Sequence, residues 1–255
     1  MAANGIMEGF GSALSPQNPC TVEQGILLLA RLYDLSADDG PALPPAPTGV
    51  GHYADYPMVP DFGDMIGYTG EIMEGSQPQY NTVFYQYIAD NASSEETYRL
   101  YWALLVEEGF TPVYMWAGMS SIYYYNPNCP DLVVSYKIAG ENTVWISLTS
   151  VEAPAGSPVC YPDFAGDVPD LAACVGLELL GGATAEDGSW VAYYYEMPNQ
   201  ADHTILAPWF IRMSQTDYVL KGMMELSDSF ATVWRDSDTG DTVAIYEQDS
   251  YLTVM

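Results

Sequence analysis

The chain has 255 residues, of which 49% are apolar, 34 are acidic and 6 are basic, so its formal net charge is −28. Enough apolar side chains are present for a packed core, which argues against a disordered chain. The charge argues against nucleic-acid binding, which needs Lys and Arg, and against docking on anionic lipid. No apolar run is long enough to span a membrane, so we expect no membrane insertion.

The first 34 residues predict a helix–loop–helix segment. Pro16 and Pro19 keep the loop extended and prevent the second helix from starting early. Thr21 and Gln24 form a T-x-x-Q capping box at the start of that helix. Apolar residues then recur at helical spacing from Ile26 to Tyr33, which predicts a buried helical face.

This segment resembles an S-layer homology motif in three places: G-I-M-x-G-x-G, S-P-x-x-P-x-T-x-E-Q and L-x-R-L-Y. Members of that family carry such motifs in threes and hold secondary cell-wall polymer on a bacterial surface. The resemblance implies wall-polymer binding through Thr21, Glu23 and Gln24, with Val22 where the family usually has arginine. It also implies an extracellular, wall-associated protein. No signal peptide is visible, so we expect the export signal outside this sequence.

A Pro- and Gly-rich stretch, residues 35–57, follows and predicts a linker. After it the sequence predicts two copies of one unit, over residues 58–150 and 159–255. The P-D-F-G opening of the first copy resembles modules of clostridial surface proteins. The matched positions are Val59–Gly63 with Tyr161–Ala165, Thr69–Met73 with Val175–Leu179, Phe84–Tyr87 with Ala192–Tyr195, Phe110 with Tyr218, Ile122 with Phe230, and Tyr136 with Tyr246.

The fold class predicted from these patterns is α+β: two tandem antiparallel sheets, each with one packed helix, preceded by the helix–loop–helix segment. In the first copy, strands are predicted at 65–74, 80–88, 112–117, 120–126, 132–138 and 143–149. A helix over 94–108 is predicted to begin at a capping box of Ser93 and Glu96. In the second copy, strands are predicted at 173–180, 189–197, 217–225, 229–235, 242–247 and 250–254, with a helix kinked or delayed by Pro208.

Catalytic chemistry is weakly indicated. The chain has two histidines, His52 and His203, and its four cysteines lack the spacing of a zinc or redox site. Those cysteines could form disulfides whose pairing the sequence does not give, and we favour free thiols. Carboxylates are too numerous for any two to be selected as a glycosidase pair. We therefore expect no enzymatic activity and no required cofactor.

One acidic string suggests a metal. Asp236, Asp238 and Asp241 alternate around a glycine, a pattern compatible with Ca²⁺ and its preference for several oxygen ligands. The same string lies between two predicted strands, where D-T-G-D is ordinary hairpin chemistry. We favour the turn and keep Ca²⁺ as the alternative.

Two tyrosine runs are the other candidate site. Tyr123 and Tyr125, and Tyr193 and Tyr195, lie in predicted strands, where alternate side chains share a face. An exposed row of tyrosines stacks on sugar rings, which makes these four residues carbohydrate-stacking candidates. Tyrosine is also a common strand residue with a polar tip, which explains the runs without a ligand.

The resulting hypothesis is a non-enzymatic module of a bacterial cell-surface protein, with a wall-attachment, display or adhesion role and a cell-wall polymer or glycan as partner. One alternative is a secreted carbohydrate- or peptidoglycan-active enzyme whose carboxylates the sequence does not identify. The other is a calcium-binding structural spacer.

Overall fold

The computed structural model describes the chain from residue 43 onwards, with short gaps. The described residues are 43–78, 81–116, 121–152, 156–164, 167–186, 188, 190–196, 203–225, 230–248 and 251–255. The predicted N-terminal motif, including Thr21, Glu23 and Gln24, lies outside them. Strands hold 45% of the described residues and helices 18%. In this part of the chain no helix is long and apolar enough to cross a membrane.

The first unit is a six-stranded antiparallel sheet preceded by a small hairpin. Its hairpin begins inside the predicted linker, and Tyr53 of that hairpin is buried in the core of the unit. The elements are β1 (His52–Tyr53), β2 (Tyr56–Pro60), α1 (Phe62–Met65), β3 (Met73–Gln77), β4 (Thr82–Ile88), α2 (Glu95–Glu107), β5 (Thr111–Trp116), β6 (Ser121–Tyr125), β7 (Leu132–Gly140) and β8 (Thr143–Ser150).

The second unit begins at an isolated antiparallel bridge between Cys160 and Pro169 and forms another six-stranded antiparallel sheet. A one-turn 3₁₀ helix, His203–Leu206, leads into its longer helix. The elements are α3 (Leu171–Val175), β9 (Leu179–Thr184), β10 (Val191–Glu196), α4 (Ala207–Met213), β11 (Tyr218–Glu225), β12 (Phe230–Asp236), β13 (Thr242–Gln248) and β14 (Tyr251–Val254).

The two sheets have the same strand order. It is β3-β4-β8-β7-β6-β5 in the first unit and β9-β10-β14-β13-β12-β11 in the second. A β-bulge also recurs at the same point, after Pro112 in β5 and after Leu220 in β11. Because order, direction and bulge agree, strand pairing assigns each residue of one sheet an equivalent in the other.

The core of the first unit lies between its sheet and α2. Val144, Ile146 and Leu148 alternate along β8 and are fully buried, together with Tyr101 and Leu105 of α2. This spacing is the period-2 pattern of a strand with one apolar face. Burial of each such side chain contributes roughly 1.5–3 kcal/mol to the free energy of folding, so this apolar face is a main source of the stability of the first unit.

Part of the opposite face of the first sheet, on β5, β6 and β7, packs against the second unit. The Tyr114 ring on β5 stacks on Phe210 of α4, with centroids 4.1 Å apart and planes inclined by 16°. The Thr232 hydroxyl of β12 donates to the Met115 carbonyl of β5. The residues of the first unit that join the core of the second are Val113, Tyr114, Tyr123, Tyr125 and Val133. The core of the second unit is therefore shared with the first unit, which also has the core beside α2.

The predicted α+β class is wrong, because the described fold is mainly β and closer to a β-sandwich. Most strands lie where they were predicted, but the helices are shorter, and α4 begins only at Ala207, with Pro208 in its first turn. Two predicted strands, 65–74 and 173–180, begin inside the short helices α1 and α3, and the strands β3 and β9 start only at Met73 and Leu179. The second face of the first sheet also meets protein along β5, β6 and β7, where a face turned to water would be expected.

The helix predicted over 94–108 is α2, but its cap is one residue later than expected. Ser94 is the N-cap, and its hydroxyl accepts from the N–H of Thr97 at 3.2 Å. Ser93 instead donates its hydroxyl to the Glu141 carbonyl, which links the start of α2 to the β7–β8 turn. Both hydroxyls are used, but only Ser94 satisfies a helix-end donor.

The shared core predicts that Tyr114→Ala destabilises the whole described fold. Tyr114 is 3% exposed and stacks across the boundary between the units, so removing its ring leaves a cavity in the shared core. The expected loss is about 3–5 kcal/mol, measured by urea unfolding. The control is Tyr251→Ala, at a tyrosine that is 51% exposed. Equal small losses for both variants would contradict the shared core.

Candidate functional site

In the first unit, a tyrosine hydroxyl accepts the first backbone N–H of the short helix α1. The N–H of Phe62 donates to the Tyr53 hydroxyl at 3.4 Å, and that hydroxyl lies 3.0 Å from the hydroxyl of Tyr87 on β4. Asp61 caps the helix by accepting from the N–H of Gly63 at 2.8 Å. The first N–H groups of a helix have no acceptor within the helix, so these side-chain oxygens supply one.

The second unit repeats this arrangement. The N–H of Leu171, the first residue of α3, donates to the Tyr161 hydroxyl at 3.1 Å. That hydroxyl lies 2.6 Å from the hydroxyl of Tyr195 on β10. Asp170 is the N-cap and accepts from the N–H of Ala173 at 3.1 Å. Two tyrosines and an aspartate thus hold the start of a short helix in each unit, and we call each set a tyrosine lock.

A third contact ties the longer helix to the same place. Tyr101 of α2 donates its hydroxyl to the Pro60 carbonyl at 3.0 Å. Trp209 of α4 donates its indole N–H to the Pro169 carbonyl at 2.8 Å. The donors differ, but both reach the carbonyl two residues before the short helix begins. Each lock therefore joins a strand, a short helix and a long helix.

These contacts correct the predicted alignment at the opening of each copy. Val59-Pro60-Asp61-Phe62 is equivalent to Val168-Pro169-Asp170-Leu171, not to the stretch that begins at Tyr161. Further along, Ile122 is equivalent to Thr232 and Tyr136 to Ile245, by strand pairing. The repeated Val-Pro-Asp triplet was the available sequence signal, and Tyr161-Pro162-Asp163-Phe164 obscured it by resembling the first opening more closely.

Burial keeps the lock tyrosines protonated. Desolvation raises the pKa of Tyr53 and Tyr161, and also that of Tyr87 and Tyr195, well above the usual value for tyrosine. Near neutral pH these groups are therefore neutral phenols that donate and accept hydrogen bonds. Shifted pKa values often mark catalytic groups, but here the shift has a structural cause that occurs in both units.

Two of the four predicted carbohydrate-stacking tyrosines lie in the shared core. Tyr123 and Tyr125 are 6% and 2% exposed and are packed against the second unit. Tyr123 has Tyr114 and Phe210 as ring neighbours. Their ring faces are covered by protein, so these two residues form no exposed row.

The other two are Tyr195, which belongs to the lock of the second unit, and Tyr193, which packs on it. Tyr195 is fully buried. Tyr193 is partly exposed, but its ring stacks on Tyr161 with centroids 4.5 Å apart, and its hydroxyl donates to Asp163 at 2.6 Å. Tyr85 stacks on Tyr53 in the same way, at 4.6 Å. One face of each partly exposed ring is therefore occupied by the lock beneath it.

The acidic string on the β12–β13 connection forms a hydrogen-bonded turn. Asp236 Oδ1 accepts from the N–H groups of Asp238 and Thr239, both at 2.8 Å. These bonds to the charged form lower the pKa of Asp236. Asp241 accepts from the Thr239 hydroxyl at 2.7 Å. Among the described residues no group of three or more His, Cys, Asp or Glu side chains is arranged to hold a metal ion.

Two further features are the described histidine side chain, His52, and a cavity beside α2, which His52 does not line. His52 Nε2 lies 2.9 Å from Glu108 at the surface, a pair of small energetic value. A shallow cavity of about 460 Å³ lies beside the start of α2, lined by Pro44, Glu95, Glu96, Arg99 and Leu100. In the second unit, where Trp209 takes the place of Tyr101, Ala207 and Pro208 stand at the positions of Arg99 and Leu100.

The sequence analysis missed an aromatic pair on the first sheet. Phe84 on β4 and Trp145 on β8 are partly exposed, with ring centroids 5.4 Å apart and planes inclined by 20°. The Lys137 ammonium lies 5.1 Å from the centre of the Trp145 ring. Trp145 stands between the buried Val144 and Ile146, and this alternation was the signal that places it on the face opposite α2.

Comparison with family models, with curated proteins and with solved structures finds no match for this chain.

The locks predict matched losses of stability for Tyr53→Phe and Tyr161→Phe. Each substitution keeps the ring but removes the acceptor for a helix N–H, at Phe62 or Leu171. A buried donor without a partner costs about 1–3 kcal/mol, measured by urea unfolding. Tyr251→Phe, at an exposed site, is the control and should change stability little. Loss in only one unit would contradict an equivalent role.

A second prediction concerns alkaline pH. Burial is the main cause that raises the pKa of Tyr85, Tyr98 and Tyr193 to about 12, whereas unfolded tyrosine titrates near pH 10. This stabilisation is complete below about pH 10 and is lost as the pH rises towards 12, because the unfolded chain ionises first. The urea midpoint should fall over this window while absorbance near 295 nm reports tyrosinate. Full ionisation near pH 10 with an unchanged midpoint would refute the prediction.

Proposed function

We propose that this chain is a non-enzymatic module of a bacterial cell-surface protein, which displays a binding surface on a rigid two-unit body. The observation that carries the proposal is the repeated tyrosine lock. The lock tyrosines have strongly raised pKa values and could be mistaken for catalytic groups. Their hydroxyls instead accept the N–H of Phe62 in the first unit and of Leu171 in the second.

The shared core supports a display role. The stacking of Tyr114 on Phe210 and the bond from Thr232 to Met115 fix one unit against the other. A surface on either sheet is then held in a constant orientation, which lowers the entropic cost of binding. The order of residues in the segment 1–34 supports attachment to a cell wall, and wall polymer or glycan is the partner that we propose.

The charge of the chain is consistent with this setting. Thirty-four acidic residues against six basic ones keep the protein soluble and disfavour contact with polyanions. Asp236 and Asp241 act as turn acceptors, which favours the turn over the calcium spacer. Aromatic packing and hydrogen bonds stabilise the proposed body.

The proposal predicts that the protein is accessible on intact producing cells and releases nothing from the wall. Brief protease treatment of those cells should liberate peptides from residues 43–255. Purified full chain incubated with peptidoglycan sacculi should release no soluble reducing sugar or muropeptide, with a muramidase as positive control. Release of wall fragments by the purified chain would overturn the non-enzymatic role, and protection from protease until the cells are lysed would overturn the surface location.

A further inference from the structure

The open face of the first sheet carries side chains that differ in kind from those of its duplicate. Strand pairing aligns Phe84 with Ala192 and Trp145 with Thr253. The flanking Gln86 and Lys137 are aligned with tyrosines of the second unit. In full, the equivalent pairs on this face are Gly75 and Ala183, Phe84 and Ala192, Gln86 and Tyr194, Lys137 and Tyr246, and Trp145 and Thr253.

This comparison separates what the fold needs from what it does not. Residues of the tyrosine lock recur in both units, because the short helix depends on them. Phe84 and Trp145 do not recur, and the same strand order forms with Ala192 and Thr253 in their places. The aromatic pair is therefore not required by the fold. Partly exposed aromatic residues that the fold does not need call for a different explanation, such as a ligand.

The position of Phe84 is built into the sheet. A side chain at Gly75 would place its Cβ 2.2 Å from Phe84 Cζ, so the ring lies directly over the glycine backbone. The second unit has Ala183 at this point, opposite Ala192, where no ring needs the space. Gly75 thus allows Phe84 to lie against the sheet beside Trp145.

We propose that this surface binds one hexopyranose unit of a neutral polysaccharide. We call it the aromatic platform and define it by Phe84, Gln86, Lys137, Trp145 and Ser147. The proposal rests on the proposed function, in which the module faces a wall glycan, and it names the binding residues and the ligand class.

The chemistry of the platform fits a sugar ring. A pyranose has a flat face of C–H groups, which packs on aromatic rings, and a rim of hydroxyls, which need donors and acceptors. Phe84 and Trp145 supply nearly parallel rings. Gln86 pairs directly with Trp145, and Ser147 with Phe84, so an amide and a hydroxyl border the rings, with the Lys137 ammonium on the other side. A few polar groups around an apolar surface are typical of small-ligand sites.

The charge of the chain selects among ligands with flat faces. Nucleobases also stack on aromatic residues, but nucleic acid brings phosphates that a chain of charge −28 repels. A neutral sugar carries no such penalty. The platform therefore matches a neutral glycan better than a nucleic acid or an anionic polymer.

The test uses the full chain with three neutral probes: cellotetraose, mannotetraose and the N-acetylglucosamine tetramer. Calorimetry and tryptophan fluorescence should show saturable binding of at least one probe at one site. The double variant Phe84→Ala, Trp145→Thr should lose at least tenfold in affinity. This variant introduces the residue types that the second unit has at the equivalent positions, Ala192 and Thr253. Its circular dichroism spectrum and urea midpoint should therefore stay near those of the original chain.

The matched control is Tyr246→Ala, on the same face of the second unit, which should leave affinity unchanged. If the double variant unfolds, Gln86→Ala provides the second variant and should weaken binding several-fold without loss of structure. Absence of saturable binding to all three probes, or equal affinity in the folded platform variant, overturns the proposal. Hydrolysis of a bound probe would instead overturn the non-enzymatic role and leave the platform standing, so the two failures are distinguishable.

Discussion

Both units depend on how the first N–H of a short buried helix finds an acceptor. A helix of four or five residues cannot form alone, because its nucleation is unfavourable and most of its donors lie in its first turn. In this protein, a phenol hydroxyl enters from the strand segment that precedes the helix, at Tyr53 or Tyr161. A second phenol, at Tyr87 or Tyr195, fixes the first from the sheet. Because the second phenol belongs to a strand that is paired on both sides, β4 or β10, the helix start is tied directly to the sheet.

The two units make the same hydrogen bonds at this place even where the residue types differ. Tyr101 and Trp209 are different side chains, but each donates to the carbonyl of the proline before the short helix. Phe62 and Leu171 both begin that helix and are both fully buried. An accepting or donating group at a fixed place in the fold is therefore what both units require. Side chains outside this requirement, such as those on the sheet face opposite the long helix, are free to differ.

The sequence predicted strand positions well, because one apolar face leaves a period-2 pattern that strands such as β8 show clearly. It failed where a helix was only a turn or so long: no helix was predicted at α1, and most of α3 was predicted as strand. It also failed where the answer depended on distant residues. Alternation placed Tyr123 and Tyr125 on one face of a strand, but only the fold brings Phe210 against that face. For the same reason the sequence did not show which of the adjacent residues Ser93 and Ser94 caps α2. The choice depends on Glu141, which is distant in sequence and accepts from Ser93.

The shared core also determines how the aromatic platform can act. One row of the first sheet runs across five strands, through Tyr123, Ser135, Ser147, Phe84 and Gly75. Its first residue is buried against the second unit, and its fourth, Phe84, lies partly exposed over glycine. Hydrogen bonding across all five strands transmits the rigidity of the buried end to the open end. A ligand at the platform therefore meets rings already held in place, and binding avoids the cost of ordering them. In the second unit the equivalent positions hold Ala192 and Thr253, so the same backbone support is present without this aromatic pair.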